Sequence, residues 1–286
     1  MSMTGKVCLI TGATNGIGRA TAKALVEQGA ELFILCRNEE KGQALLDELR
    51  SIRPDAELSL LIANLGKMAD IRRAAKQFLD TGKPLHLLLN NAGVVNTERK
   101  LSADGIEETF AVNHLAYFLL TELLRERIVA SAPARIVSVA SEAHAFCKGV
   151  QFDDLEFARQ KYKTFKVYGH SKLCNILWTR HLAKQLEGTG VTVNCVHPGA
   201  VSTGLGQQDN VIIGKVLGLV LKPFFRSPDK GAETSIYVAT SPSLEGVTGE
   251  YFADCKPKRI KPWGKDDAAA EKLWSFSEAY TKTTVS

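Results

Sequence analysis

LITGATNGIGRA (residues 9–20) is a short apolar run that ends in a glycine-rich turn and continues as a helix. The run begins with VCLI (7–10), which has the length and apolarity of a buried strand, and apolar residues recur at helical spacing over 17–28. Between the two stand Gly12, Gly16 and Gly18, spaced GxxxGxG rather than GxGxxG. Glycines at a strand-to-helix turn let the backbone approach a diphosphate, and the open N–H groups of the helix then face the anion. A turn whose glycines serve packing alone is the other reading. Its place after the first strand favours the nucleotide.

Working outward, short apolar runs alternate with helix-period segments along the chain. LFILC (32–36), LSLLI (58–62), LHLLLN (85–90), RIVSVA (135–140) and VTVNCV (191–196) read as further strands. Helical patterns fill 39–50, 69–79, 105–127, 168–186 and 229–239. Such alternation predicts right-handed βαβ units: an α/β fold with a doubly wound parallel sheet of Rossmann type, helices on both faces. With no linker, repeat or composition shift, residues 1–286 read as a single domain with a C-terminal extension from about 256 to 286. Two long segments, 142–166 and 200–226, start at strand carboxyl ends, where open parallel sheets bind ligands. The second reads as a substrate lid.

Composition excludes several classes. With 45% hydrophobic and 23% charged residues, the chain can bury a sizeable core. A net charge of +5 without a domain-wide basic stripe argues against a nucleic-acid partner, and the basic run 256–265 reads as a solvated face. The opening MSMTGKVCLITG is too short in apolar length for a signal peptide, and the longest candidate span, 211–225, is broken by glycines and lysines. No transmembrane anchor is expected, with the first strand beginning by Val7. The 6 cysteines make no CxxC pair and suit neither zinc nor a disulfide framework, so a reducing, cytoplasmic location is expected.

The end of the second strand carries cofactor information. An NAD-binding fold places a carboxylate here for the ribose 2′-hydroxyl. This chain has Cys36 followed by Arg37. No carboxylate repels a 2′-phosphate and a guanidinium is available to pair with one, so NADP(H) is favoured over NAD(H).

YGHSK (168–172) puts a phenol and an amine four positions apart, just over one helical turn, on one face. Alone, this fits equally an ordinary helix with an exposed lysine and a half-buried tyrosine. Together, TGATNGIG, NNAG (90–93), Asn113, Ser141 closing RIVSVAS, YGHSK and HPGAVST (197–203) occur in the order that resembles the short-chain dehydrogenase/reductase superfamily. The resemblance covers roughly residues 6 to 252. The segments AGVVNTERKLSADGIEETFAVNHLAYFLLTELL and VASEAHAF are similar to its retinol-dehydrogenase-like branch.

The resemblance implies an oxidoreductase with Asn113, Ser141, Tyr168 and Lys172 as catalytic residues. It implies cofactor contacts at Gly12, Thr14, Asn15, Gly16, Ile17, Gly18, Asn91, Ala92 and Gly93, at Tyr168 and Lys172, and at Pro198, Gly199, Val201 and Thr203. Where the family commonly has Asp-Leu after the third strand, this chain has Asn64 and Leu65, implying a weaker adenine contact. Chemically, a hydride added to a carbonyl carbon leaves charge on oxygen that needs a proton. A phenol of pKa about 10 becomes a usable donor near neutrality if a neighbouring ammonium stabilises its phenolate. Ser141 would polarise the same oxygen, with Ser138 as competitor, and the family's asparagine holds a water on a proton path.

The expected reaction is therefore NADP(H)-dependent interconversion of a carbonyl and an alcohol, chiefly reduction. A catalytically silent NADP-binding sensor or scaffold is the alternative. His144 and Phe146 are candidate substrate contacts, and Phe152, Leu155 and Phe157 suggest an apolar pocket suited to retinoids, steroids, aromatic ketones or aliphatic aldehydes. His197, before a proline, reads as shaping a turn. Helices 105–127 and 168–186 are read as exposed and able to pair subunits, so a homo-oligomer is open.

Overall fold

The computed structural model describes residues 2–199 and 227–282. The expected lid, 200–226, with Val201 and Thr203, lies outside them. Eight strands form one sheet in the order β3-β2-β1-β4-β5-β6-β7-β8. They are β1 (Val7–Thr11), β2 (Glu31–Cys36), β3 (Leu58–Ile62), β4 (Leu87–Asn90), β5 (Ala134–Val139), β6 (Val191–His197), β7 (Tyr251–Ala253) and β8 (Lys256–Pro257). All neighbours run parallel except the final β7–β8 pair. The order reverses between β1 and β4. This switch point leaves a crevice at the carboxyl ends of those strands.

Strand alternation divides the core. Val7 and Leu9 point into one apolar layer, and Cys8 and Ile10 into the other. Against the Cys8 side pack α1 (Gly16–Glu27), α2 (Glu39–Ile52) and the later Pro228–Thr240 helix. Against the Val7 side pack α3 (Met68–Asp80), α4 (Glu108–Phe110), α5 (Ala116–Ala130) and α6 (Thr164–Gln185). The Pro228–Thr240 helix is α7, and α8 (Asp267–Lys282) closes the described chain. β1 is buried along its whole length, as a strand covered on both faces must be.

Three features depart from the sequence-based expectation. The helix expected over 105–127 is interrupted by a π-helical segment, Ala111–Leu115, between α4 and α5. The basic run stays solvent-exposed, as read, but it is tied down: β8 pairs with β7, and Lys258 forms an ion pair with Glu142 beside Ser141. The helices read as exposed are not so. Most of α6 is buried, and α8 lies along α5 and α6 with Trp274 edge-on to Phe118 at 4.8 Å and beside His181 at 5.1 Å. Among the described residues, the chain's own C-terminal helix occupies part of the face assigned to a second subunit.

Candidate active site

The site is built where β1 and β4 end side by side. Gly12 leaves β1 with φ +68°, and a Cβ there would stand 2.7 Å from the Ala92 Cα. At Gly18 a Cβ would meet the Gly12 carbonyl and the Asn91 amide. Only hydrogen fits at either position. Thr11 Oγ1 accepts from the N–H groups of Asn91 and Ala92 at 2.9 and 3.0 Å. Asn91 Nδ2 returns bonds to the carbonyls of Thr11 and Gly12. The NNAG segment and the glycine turn are thus tied into one floor. Asn15 caps α1 by accepting from Gly16 N at 2.8 Å, and the first turn of α1 carries no acidic side chain. That cradle suits a diphosphate.

One cleft runs across this floor. At one end it is lined by Arg37, Asn64 and Leu65; in the middle by Gly12, Thr14 to Gly18 and Asn91 to Gly93; at the other end by Ser141, Tyr168, Lys172, Pro198 and Gly199. A long, two-ended ligand with anionic groups at its centre, a dinucleotide, fits this set of donors. Asn64 Oδ1 is already engaged by Gly66 N at 2.9 Å, while the Asn64 N–H donates to Asp70.

Asn113 sits beneath the cleft, fully buried in the π segment. Its Oδ1 accepts from Val94 N at 2.8 Å, and its Nδ2 donates to Val94 O and Ser171 Oγ, both at 3.0 Å. The wide turn of a π segment reorients a side chain that a regular helix would aim elsewhere. Lys172 Nζ donates to the carbonyl of Val139 at 2.8 Å and lies 5.6 Å from the Tyr168 ring centre. Burial pushes the Tyr168 phenol up to about 12, with the Ser141 hydroxyl pulling the other way, and pushes the Lys172 ammonium down to about 7. The phenol therefore rests protonated, with desolvation outweighing the Ser141 hydroxyl.

Ser141 closes the run after β5 and caps the 3₁₀ turn Glu142–Phe146, its Oγ accepting from Ala143 N at 3.2 Å. Ser138 points into the interior without a partner for its hydroxyl. His144 is a correction: it is fully buried, with Nδ1 2.8 Å from the Ser141 carbonyl, and so stands behind Ser141 rather than in the cleft. His197 Nδ1 accepts from Glu142 N at 3.4 Å, a turn contact. The expected apolar pocket also divides. Leu155 and Phe157 are buried, and Phe152 stacks on Phe276 of α8. Phe146 stays 64% exposed next to α6.

Three supports went unread in the sequence. Tyr117, one turn beyond Asn113, donates to Ala92 O at 2.7 Å and has its ring 5.7 Å from Lys172 Nζ. Its i+4 spacing from Asn113 was the available signal. Thr11 and Ser171 carry no sequence signal of their own, since their partners lie 80 and 58 residues away.

A parallel sheet with this switch-point cleft and this buried tyrosine–lysine helix defines a Rossmann-type nucleotide-binding protein. The short chain dehydrogenase family model matches residues 6–211. Retinol dehydrogenase 12 of Mus musculus is 42% identical over 273 residues, covering 96% of this chain and 85% of that protein. Retinol dehydrogenase 14 of Homo sapiens is 41% identical over 291 residues, with 96% and 86% covered. The chain belongs to the short-chain dehydrogenase/reductase superfamily, in its retinol-dehydrogenase-like branch, a family of oxidoreductases. Among solved structures, an uncharacterized protein from Mycobacterium Paratuberculosis superposes with TM-score 0.77 at 26% identity, covering 98% of this chain and 95% of that one. A short chain dehydrogenase from Burkholderia cenocepacia, solved in complex with NADP, does so with TM-score 0.70 at 25% identity, covering 88% and 97%.

Proposed function

We propose that this single-domain chain is an NADP(H)-dependent oxidoreductase interconverting a carbonyl and an alcohol on an apolar substrate, with Tyr168 as general acid/base. The observation that carries this reading is the half-buried Tyr168 side chain, lining the cleft beside Ser141 and Lys172. A bound nicotinamide dinucleotide supplies or accepts the hydride. In the reducing direction Tyr168, protonated at rest, gives its proton to the substrate oxygen while Ser141 donates a hydrogen bond to that oxygen. Ser141 and the Lys172 ammonium then stabilise the phenolate. Oxidation reverses each transfer. Asn113 keeps the Val94 backbone and Ser171 in place beneath the reacting end.

Arg37, on the cleft wall after β2, supports NADP(H) over NAD(H) by facing the ribose end with a cation. The NADP complex of the Burkholderia cenocepacia neighbour supports the same choice. Relatives named retinol dehydrogenases support an apolar alcohol or aldehyde, with a retinoid as the specific alternative. A reducing, cytoplasmic setting is part of the same reading. Among the described residues no helix is long and apolar enough to cross a membrane, and no three His, Cys, Asp or Glu side chains gather as a metal site would need.

The test follows the loss of NADPH or NADH absorbance against apolar aldehydes, aromatic ketones, steroids and retinal, with Tyr168→Phe alongside. The expected result is turnover that prefers NADPH and that the variant loses while still binding cofactor. Residual turnover in Tyr168→Phe near the parent's would overturn the role given to the phenol.

A further inference from the structure

The geometry points to Phe146 and Phe165 as an aromatic platform that receives the elongated apolar chain of the substrate, beyond the reacting carbon. Phe146 is 64% exposed and Phe165 65% exposed, although phenylalanine is ordinarily buried. Isolated exposed apolar residues are unremarkable, but these two touch. Their ring centres are 6.2 Å apart at an interplanar angle of 77°, an edge-to-face pair. Of the other large exposed apolar residues among the described ones, Ile52 ends α2 and Leu101 lies in an isolated bridge with Glu107.

The placement of the pair assigns its role. Phe146 ends the 3₁₀ turn that Ser141 caps, and Phe165 stands one helical turn before Tyr168 on α6. Each ring is therefore carried within five residues of one of the residues that would contact the reacting oxygen, Phe146 after Ser141 and Phe165 before Tyr168. The two elements meet closely at Gly169: a Cβ there would overlap the Ala143 carbonyl and lie 3.5 Å from the Phe146 Cβ. The dinucleotide cleft ends at Ser141 and Tyr168 and includes neither phenylalanine. The rings thus lie outside the space the cofactor fills, on the two elements that supply Ser141 and Tyr168. The rings bring no charge and no hydrogen-bonding group, so they reward hydrocarbon length rather than polar substituents. The occupant is the chain of an elongated aliphatic or polyene aldehyde or alcohol.

This inference rests on the proposed carbonyl–alcohol chemistry, and the test separates the two. kcat/KM would be measured with NADPH for straight-chain aldehydes from propanal to decanal. The enzyme would be compared with the double variants Phe146→Ser/Phe165→Ser and Phe146→Leu/Phe165→Leu. The parent should gain up to about fourfold per methylene while the chain lies on the rings. The decanal-to-propanal ratio should fall at least about tenfold in the serine variant and be largely kept in the leucine variant, since the gain comes from apolar contact. A parent with no turnover of any aldehyde overturns the proposed function and this inference with it. A parent that turns over aldehydes, with the same length dependence in the serine variant, overturns the platform alone. Retained length dependence with lost sedimentation on phosphatidylcholine vesicles would assign the rings to a lipid surface instead.

Discussion

Lys172 donates from Nζ to the carbonyl of Val139 at 2.8 Å, tethering the amine of YGHSK to the last residue of β5, two positions before Ser141. The bond joins the helix that carries the phenol to the strand that delivers the serine. It also places the amine where burial disfavours its charge.

Lys172→Met should lower turnover about a hundredfold, the scale of a lost acid–base partner. It should also change the response of stability to pH. The native amine sits at about 7 against an ordinary 10.5, so between those values the unfolded chain holds a proton that the native state does not. Stability must then rise with pH across that window, by about 1.4 kcal/mol per unit at most from this group. Urea midpoints at neutral and alkaline pH should show a rise in the parent that the methionine variant lacks.

Gly18→Ala places a methyl group against the Gly12 carbonyl and the Asn91 amide, which already bonds the Thr11 and Gly12 carbonyls. Either the turn opens or Asn91 leaves its bonds. Overpacking of this kind costs about 1–3 kcal/mol, and here it falls on the cofactor cradle. Fluorescence titration with NADPH should show weakened binding. Unchanged affinity would remove the glycine turn from the proposed cofactor site.

Arg37→Ala should lower the NADPH-to-NADH ratio of kcat/KM about 10- to 100-fold, the value of one or two charge-assisted bonds to a 2′-phosphate. The loss should appear in the KM for NADPH, with the NADH constants little altered. An unchanged ratio would assign the preference elsewhere.

Trp274→Ala removes the ring that α8 sets against Phe118 and His181. The cost should be about 3 kcal/mol of stability, as for other buried aromatic truncations. Because α8 also holds His114, the neighbour of Asn113, through Ser277 Oγ at 2.9 Å, loosening it should reach turnover too. Chemical denaturation and steady-state kinetics of the variant measure both.

The glycine turn, the alternation of strands and helices and the YGHSK face were readable because each is a local pattern. Periodicity and turn chemistry act over a few residues. β7 and β8 were missed because strands of 3 and 2 residues hold no period. The π segment escaped because its apolar spacing differs little from that of the helices flanking it. α8 was left as an unassigned extension, although DAAAEKLWSFSEAYTK turns an apolar stripe toward α5 and α6.

By itself the sequence determined the class of fold, the place of the nucleotide turn and which side chains could form an acid, an amine and a hydrogen-bond donor. Tertiary structure alone decided how they meet. It turned His144 behind Ser141, sent Phe152, Leu155 and Phe157 into packing, and left Phe146 exposed against Phe165. It also decided the direction in which burial moves Tyr168 and Lys172, upward for the phenol where a neighbouring ammonium alone would lower it. Desolvation explains the difference. It depends on everything that excludes water from a group, and most of what surrounds Tyr168 and Lys172 comes from chain segments distant in sequence.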